Sequence, residues 1–389
     1  MNPFVLTGLG AVWLVLLLAW GGWLLRPTSR SAVLPPWRRR AVPWSGGEVL
    51  LAFLLSQFLW PALLTWLLTG SGFFRWLYGP DLQAESRGGM SPVTLWLNVL
   101  AMPLTVLSIP ALFYVLSGTR LYQLGLTAER LVRNVLLGAV TALCVVPVIY
   151  IVHLVVNWLL KGIGETPEEH PLTKLVRGHP RPMDLVVGGF AAMVAAPLVE
   201  ELLFRGVVQP WCRTRPWGGY LAIAGALLLA FARRVPGLQA AWEAHSVARA
   251  WPELLPVGFV LLMVPAYLAV RVWLPPAAGA VYATSLLFGA AHSFAWPQPV
   301  PLFFFALALG ALRYRTQSLV PSVVTHGLFN AVGWVILLLP QPADKPEKGK
   351  ETTDARPRPA LVSTSSAVPG SSLPRRTYAS AITVPSAGE

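Results

Sequence analysis

The chain has 389 residues, of which 55% are apolar and only 12% charged, with a formal net charge of +13. Soluble globular domains carry about 25% charged residues, so this balance excludes an ordinary soluble fold and points to a membrane protein. The basic excess does not mark a nucleic-acid binder, because the arginines sit in short connections between apolar runs and form no continuous surface.

The first apolar run, 4–25, is long enough to cross a bilayer, and its only polar side chain is Thr7. It lacks a basic start and ends in arginines, so it reads as a retained span and not as a secretory signal. Further spans are expected at 49–68, 93–116, 132–160, 185–204, 220–232, 254–274, 277–296, 300–312 and 319–339. Two of these are short for a full crossing, which gives an all-α, polytopic transmembrane helix bundle of about eight to ten spans. Arg26, Arg30, Arg38, Arg39 and Arg40, then Arg120 and Arg130, then Arg213 and Arg215, mark connections expected on the cytoplasmic side. The N-terminus is then non-cytoplasmic, in a multi-pass protein of the cell membrane. The stretch 233–253 is a polar interruption between short spans. From 341 to 389 the composition turns to Pro, Ser, Thr, Ala, Lys and Arg, too poor in large apolar residues to order itself, and reads as a disordered tail. The chain thus divides into a transmembrane region 1–184, a second region 185–340 and the tail 341–389.

Chemistry gathers in the second region. A charge inside a span costs a few kcal/mol on insertion scales, so each must be paired, face water or serve a function. Glu200, Glu201 and Arg205 lie in one apolar helix, near its expected cytoplasmic end. Glu201 and Arg205, four apart, share a face and should pair; Glu200 is turned by about 100° and is freer to meet a water or substrate. Charges at a helix end can also simply snorkel to the headgroups. Phe288 and His292, four apart, belong to a span rich in small residues, among them Gly279, Ala280, Ala283, Ser285, Gly289, Ala290 and Ala291, which allows close helix approach. His326 and Asn330 share a face of the last span. His153 and Asn157 repeat that spacing in an earlier span with no carboxylate pair nearby, and read as structural. Two cysteines, Cys144 and Cys212, leave no cysteine-rich metal site, so a metal would need histidine and carboxylate ligands.

The ordered set Glu-Glu-x-x-x-Arg, Phe-x-x-x-His and His-x-x-x-Asn resembles the CPBP family of intramembrane proteases, which includes the type II CAAX prenyl endopeptidases and bacterial relatives linked to bacteriocin processing or immunity. The resemblance covers about 185–339, and the run Gly310 to His326 looks like the family's approach to its last motif. The long interval between the first two motifs, including 233–253, and the extra N-terminal spans depart from the common pattern. The resemblance implies an endopeptidase acting on membrane-associated peptide or protein substrates in the lipid bilayer, with no nucleic-acid partner. Its catalytic set is Glu200, Glu201, Arg205, His292, His326 and Asn330, with Phe288 packing the substrate side. Glu200 with His292 would activate water, and His326 with Asn330 would bind the oxyanion. A zinc version, with Glu200, His292 and His326 as ligands, stands beside the glutamate-only one, although no His-Glu-x-x-His helix is present. Readings from other classes are a transporter or channel using the same buried Glu and His groups, which predicts internal repeats that are not seen, and a catalytically silent membrane scaffold, which predicts decay of a motif.

Overall fold

The computed structural model describes residues 42–79, 92–178, 180–215 and 217–339. The expected first span 4–25, the arginines of 26–40 and the tail 341–389 lie outside the described residues. Among the described residues the fold is all-helical. Its long helices are α1 (Gly46–Gly70), α2 (Pro92–Ser117), α3 (Leu131–Gly162), α4 (Pro182–Thr214), α5 (Gly218–Ala232), α6 (Val247–Trp273), α7 (Pro276–Ala291), α8 (Pro299–Thr316) and α9 (Val320–Leu338). Six of them are long and apolar enough to cross a membrane, or up to seven if α5 and the bent short helix Val235–Glu243 form one broken span. The chain is a multi-pass membrane protein. Large apolar side chains point outward from the peripheral helices, as lipid-facing surfaces require: Phe58 and Trp66 on α1, Leu107 on α2, Trp158 on α3 and Leu262 on α6.

α7 is the exception and the centre of the bundle. It has 16 residues, about 24 Å at 1.5 Å per residue, which is short of a hydrocarbon core of about 30 Å. Every residue from Ala277 to Ala290 is buried. A helix apolar on all faces must be enclosed by others, and small side chains let its neighbours approach. At Gly289 a Cβ would stand 2.7 Å from the Pro299 carbonyl oxygen, so only glycine permits that crossing with α8. Gly138 does the same where α3 crosses α9: a Cβ there would meet the Pro321 carbonyl oxygen at 2.7 Å, and the buried Gly138 carbonyl accepts from Thr325 Oγ1 at 2.9 Å. α3, from the N-terminal part of the chain, therefore packs directly on the helix that carries His326.

Three π turns interrupt the helices, at Leu55–Leu59 in α1 and at Ala191–Ala195 and Leu202–Val208 in α4. Each ends immediately before an X-Pro step: Trp60-Pro61, Ala196-Pro197 and Gln209-Pro210. The residue before the proline donates its N–H five residues back, Trp60 to Leu55, Ala196 to Ala191 and Gln209 to Phe204. The cause is local. A proline ring collides with the carbonyl four residues earlier and offers no N–H, and widening the preceding turn relieves the collision. α4 therefore passes through Pro197 and Pro210 without ending. It runs beyond the 185–204 expected from hydropathy, because Arg205 is buried and paired inside the bundle and does not mark a membrane boundary. This places Glu200 near the middle of the helix and not at its end.

Candidate functional site

The second π turn of α4 begins right after Glu200 and Glu201, so both carboxylates sit on a stretch of altered helical phase between two prolines. Glu201 is wholly buried. Its Oε1 accepts from Arg205 Nη1 at 2.8 Å, and Arg205, only 1% exposed, also reaches the Ala306 carbonyl of α8 at 3.4 Å. Neither side chain snorkels. Phe288 of α7 lies flat against the guanidinium, 4.3 Å from Arg205 Cζ to the ring centre, and Phe204 packs edge-on against Phe288 at 5.1 Å. A pair this deep is costly to break from one side, by roughly 3–5 kcal/mol, because the partner stays behind as an unpaired buried charge.

The same Glu201 oxygen lies 3.0 Å from His326 Nδ1. A carboxylate only accepts, so His326 Nδ1–H donates and Nε2 is turned to the other side of the ring. There it stands 3.8 Å from Glu200 Oε2. His292 reaches the same carboxylate from α7: its Nδ1 donates to the Phe288 carbonyl at 2.9 Å and its Nε2 lies 4.0 Å from Glu200 Oε1. Phe305 and Phe288 flank the His326 ring at 5.4 and 5.8 Å between centres, fixing it on two sides. Glu200 is about a quarter exposed and His292 about a fifth, so this corner of the cluster is open while the Glu201–Arg205 side is sealed.

Asn330 is held by the first π turn of α4. The Ala192 carbonyl loses its usual helical donor, since Ala196 N–H goes to Ala191 instead, and the next residue along, Pro197, has no N–H to give. Asn330 Nδ2 fills that place at 2.7 Å. An orphaned carbonyl is expensive in an apolar surround, so this bond locks α9 against α4. Gly327 helps: a Cβ there would stand 2.8 Å from the Met193 carbonyl oxygen. One amide N–H of Asn330 is thereby used and one remains.

The structure brings Glu200, Glu201, Arg205, Phe288, His292 and His326 into one cluster on α4, α7 and α9, with Asn330 one helical turn beyond His326. Sequence reading passed over Phe305, Phe204 and the two backbone carbonyls, of Ala192 and Ala306, that seat the set. The Pro197 step was the available signal for the first of those carbonyls. Among the described residues no group of three His, Cys, Asp or Glu side chains is arranged to hold a metal ion, the Glu200, His292 and His326 considered for zinc included. Beyond the spans, His170 borders the cluster: its ring packs against Phe294, which in turn packs against His292, at 5.7 and 5.9 Å. Burial, and then the charge His292 can carry, push His170 down to about 4, in keeping with its Nδ1 accepting the Leu172 N–H at 3.2 Å.

Residues 182–273 and 247–332 match a family model described as type II CAAX prenyl endopeptidase Rce1-like. The two matches together run from the start of α4 into α9 and include each residue of the cluster, in agreement with the resemblance carried by the three motifs. No curated protein and no solved structure matches the chain.

Proposed function

We propose that this Rce1-like membrane protein is an intramembrane endopeptidase in which Glu200 activates water against the peptide bonds of membrane-associated substrates. The observation that carries the reading is the convergence of His292 Nε2 and His326 Nε2 on the two oxygens of one partly open carboxylate, at 4.0 and 3.8 Å. These separations are too long for direct hydrogen bonds, yet they suit groups that share a third polar atom about 2.8 Å from each. A water held there donates one proton toward Glu200 and the other toward His292 Nε2, whose lone pair is free because Nδ1–H is spent on Phe288.

In the reaction the water oxygen bonds to the scissile carbonyl carbon while its proton passes to Glu200. The carbonyl oxygen becomes an oxyanion. Two donors serve it: the remaining N–H of Asn330, and His326 Nε2 in its protonated form, stabilised by Glu201 on Nδ1. Collapse breaks the C–N bond, and Glu200 returns the proton to the leaving amine. Glu201 and Arg205 are positioning residues. They hold His326 through Glu201 Oε1, with no contact to the reacting atoms. No step is routed through a metal. The region 185–340 acts as the protease core with 1–184 as its membrane support.

The test is cleavage of a membrane-anchored peptide library by the full chain in nanodiscs, comparing wild type with Glu200→Ala and with a chelator added. Wild type should cut with the chelator present, and the variant should lose about 10³-fold or more, within the range of general acid–base contributions joined to water positioning. Equal cutting by both proteins overturns the assignment of Glu200, and loss of wild-type cleavage on chelation overturns the metal-free mechanism. Solute flux in proteoliposomes that depends on Glu200, without cleavage, would favour the transporter reading.

A further inference from the structure

The polar stretch 233–253, which lengthens the interval between the first two motifs, carries a buried arginine at the centre of a further cluster of charges. Arg234, 6% exposed, sits at the bend between α5 and the helix Val235–Glu243. Its Nη1 donates to Glu168 Oε1 at 2.5 Å and to Glu253 Oε2 at 3.3 Å, and its Nη2 donates to Glu168 Oε2 at 2.9 Å and to the Ser293 carbonyl. Glu168 Oε2 also accepts the Trp296 N–H at 2.7 Å, while the Glu168 N–H donates to the Trp296 carbonyl at 2.8 Å. Arg234 and Glu168 thus close a ring of hydrogen bonds around the turn 293–296. Three stretches distant in sequence meet there, and the turn begins one peptide bond after His292.

We infer that Arg234, through Glu168 and the Ser293 carbonyl, is a positioning residue that fixes His292 against Glu200. His292 ends α7 and has left the helical ladder, so its backbone is set by the turn 293–296 and not by helix alone. Within its own helix the ring is anchored at Phe288 alone, by Nδ1 on its carbonyl and by ring packing at 4.9 Å between centres. Pinning the next carbonyl and the Trp296 N–H removes the remaining freedom of the turn, and Phe294, packed between His292 and His170 with Arg233 over its face at 5.4 Å, caps the ring from outside. A planar guanidinium suits this role, because it presents several donors in fixed directions that a lysine cannot reproduce. The inference rests on the endopeptidase reading for its kinetic consequence, but not for its structural one.

The experiment compares wild type, Arg234→Gln, Arg234→Lys, Glu168→Gln and the control Arg177→Ala, all as full chains in nanodiscs. Arg177 pairs with Glu169 in the same segment but on the exposed surface. Two readouts are taken: kcat and KM on an anchored peptide, and the rate at which diethyl pyrocarbonate modifies His292, followed by mass spectrometry and normalised to the exposed His245. Arg234→Gln should lower kcat by about tenfold or more with KM within about twofold, since small misplacements of a reacting group cost that much, and should speed His292 modification several-fold. Arg234→Lys should recover part of both, and Arg177→Ala should match wild type. Should Arg234→Gln fail to fold, Glu168→Gln carries the same expectations, because its side chain is 41% exposed and tolerates the change. A lowered Tm with kcat and His292 modification at wild-type values would reduce Arg234 to a staple and overturn the inference. If wild type cleaves nothing, the endopeptidase reading fails, and the His292 modification rate alone still decides this one.

Discussion

His326 and Asn330 on α9, and His153 and Asn157 on α3, have the same spacing, and the two helices pack against each other. Their surroundings differ in kind. His326 is 3% exposed, bound to Glu201, faced by Glu200 and clamped between Phe288 and Phe305, while Asn330 satisfies a carbonyl that Pro197 leaves without a donor. No ion pair of His153 occurs among the described residues, and the buried Asn157 Oδ1 has no partner there. The His-x-x-x-Asn spacing puts two polar groups on one helical face and does nothing more. What turns a face into a site is the neighbouring helix: a carboxylate in reach, and a broken backbone ladder that needs a donor.

The largest effect should come from removing the ring that the two carboxylates engage, which His153 on α3 matches in type but not in surroundings. His326→Gln keeps an amide near Glu201 but loses the ring nitrogen that faces Glu200. Cleavage should fall by about 10²–10⁴ with little change in KM, read as initial rates on the anchored peptide. Next comes Arg205→Ala, which strands Glu201 in the interior. It should cost about 3–5 kcal/mol, seen as a large drop in Tm in nanodiscs, whereas Arg177→Ala on the exposed Glu169 pair should cost about 1 kcal/mol or less. If both substitutions cost the same, burial is not what distinguishes these pairs.

Asn330 separates the two roles that the comparison assigns to it. Asn330→Ala removes an oxyanion donor, worth about 10²–10³ in rate, and also orphans the Ala192 carbonyl, worth about 1–3 kcal/mol. Adding Pro197→Ala supplies the missing backbone N–H, so the double variant should regain stability without regaining rate. Recovery of both would make Asn330 a structural residue only.

These contrasts also show where the chain could be read and where it could not. The Glu201–Arg205 pair is legible because both residues lie on one turn of one helix, four apart. The convergence of His292 and His326 on Glu200 depends on how α7 lies between α4 and α9, which no local period encodes; only the resemblance of three separate motifs pointed to it. Hydropathy ended the first motif's span at 204, since an arginine in an apolar run looks like a boundary until its partners are known. It also drew the third-last span on to 296, where α7 ends at Ala291 and the turn held by Glu168 and Arg234 begins. Those two residues are invisible as a pair because 66 positions separate them.

The smallest predicted effect is the one the comparison most depends on. His153→Ala with Asn157→Ala removes the same two residue types at the same spacing from a helix that touches α9 through Tyr150 and Phe329, whose ring centres are 5.9 Å apart. If the surroundings make the site, the double variant should keep kcat/KM within about twofold of wild type, and its Tm should hold or rise slightly, because a buried amide oxygen without a partner is replaced by a methyl group. A fall of tenfold or more in kcat, with Tm unchanged, would mean that α3 reaches the reacting atoms in a state of the protein different from the one described. The catalytic set would then have to include a second histidine–asparagine face.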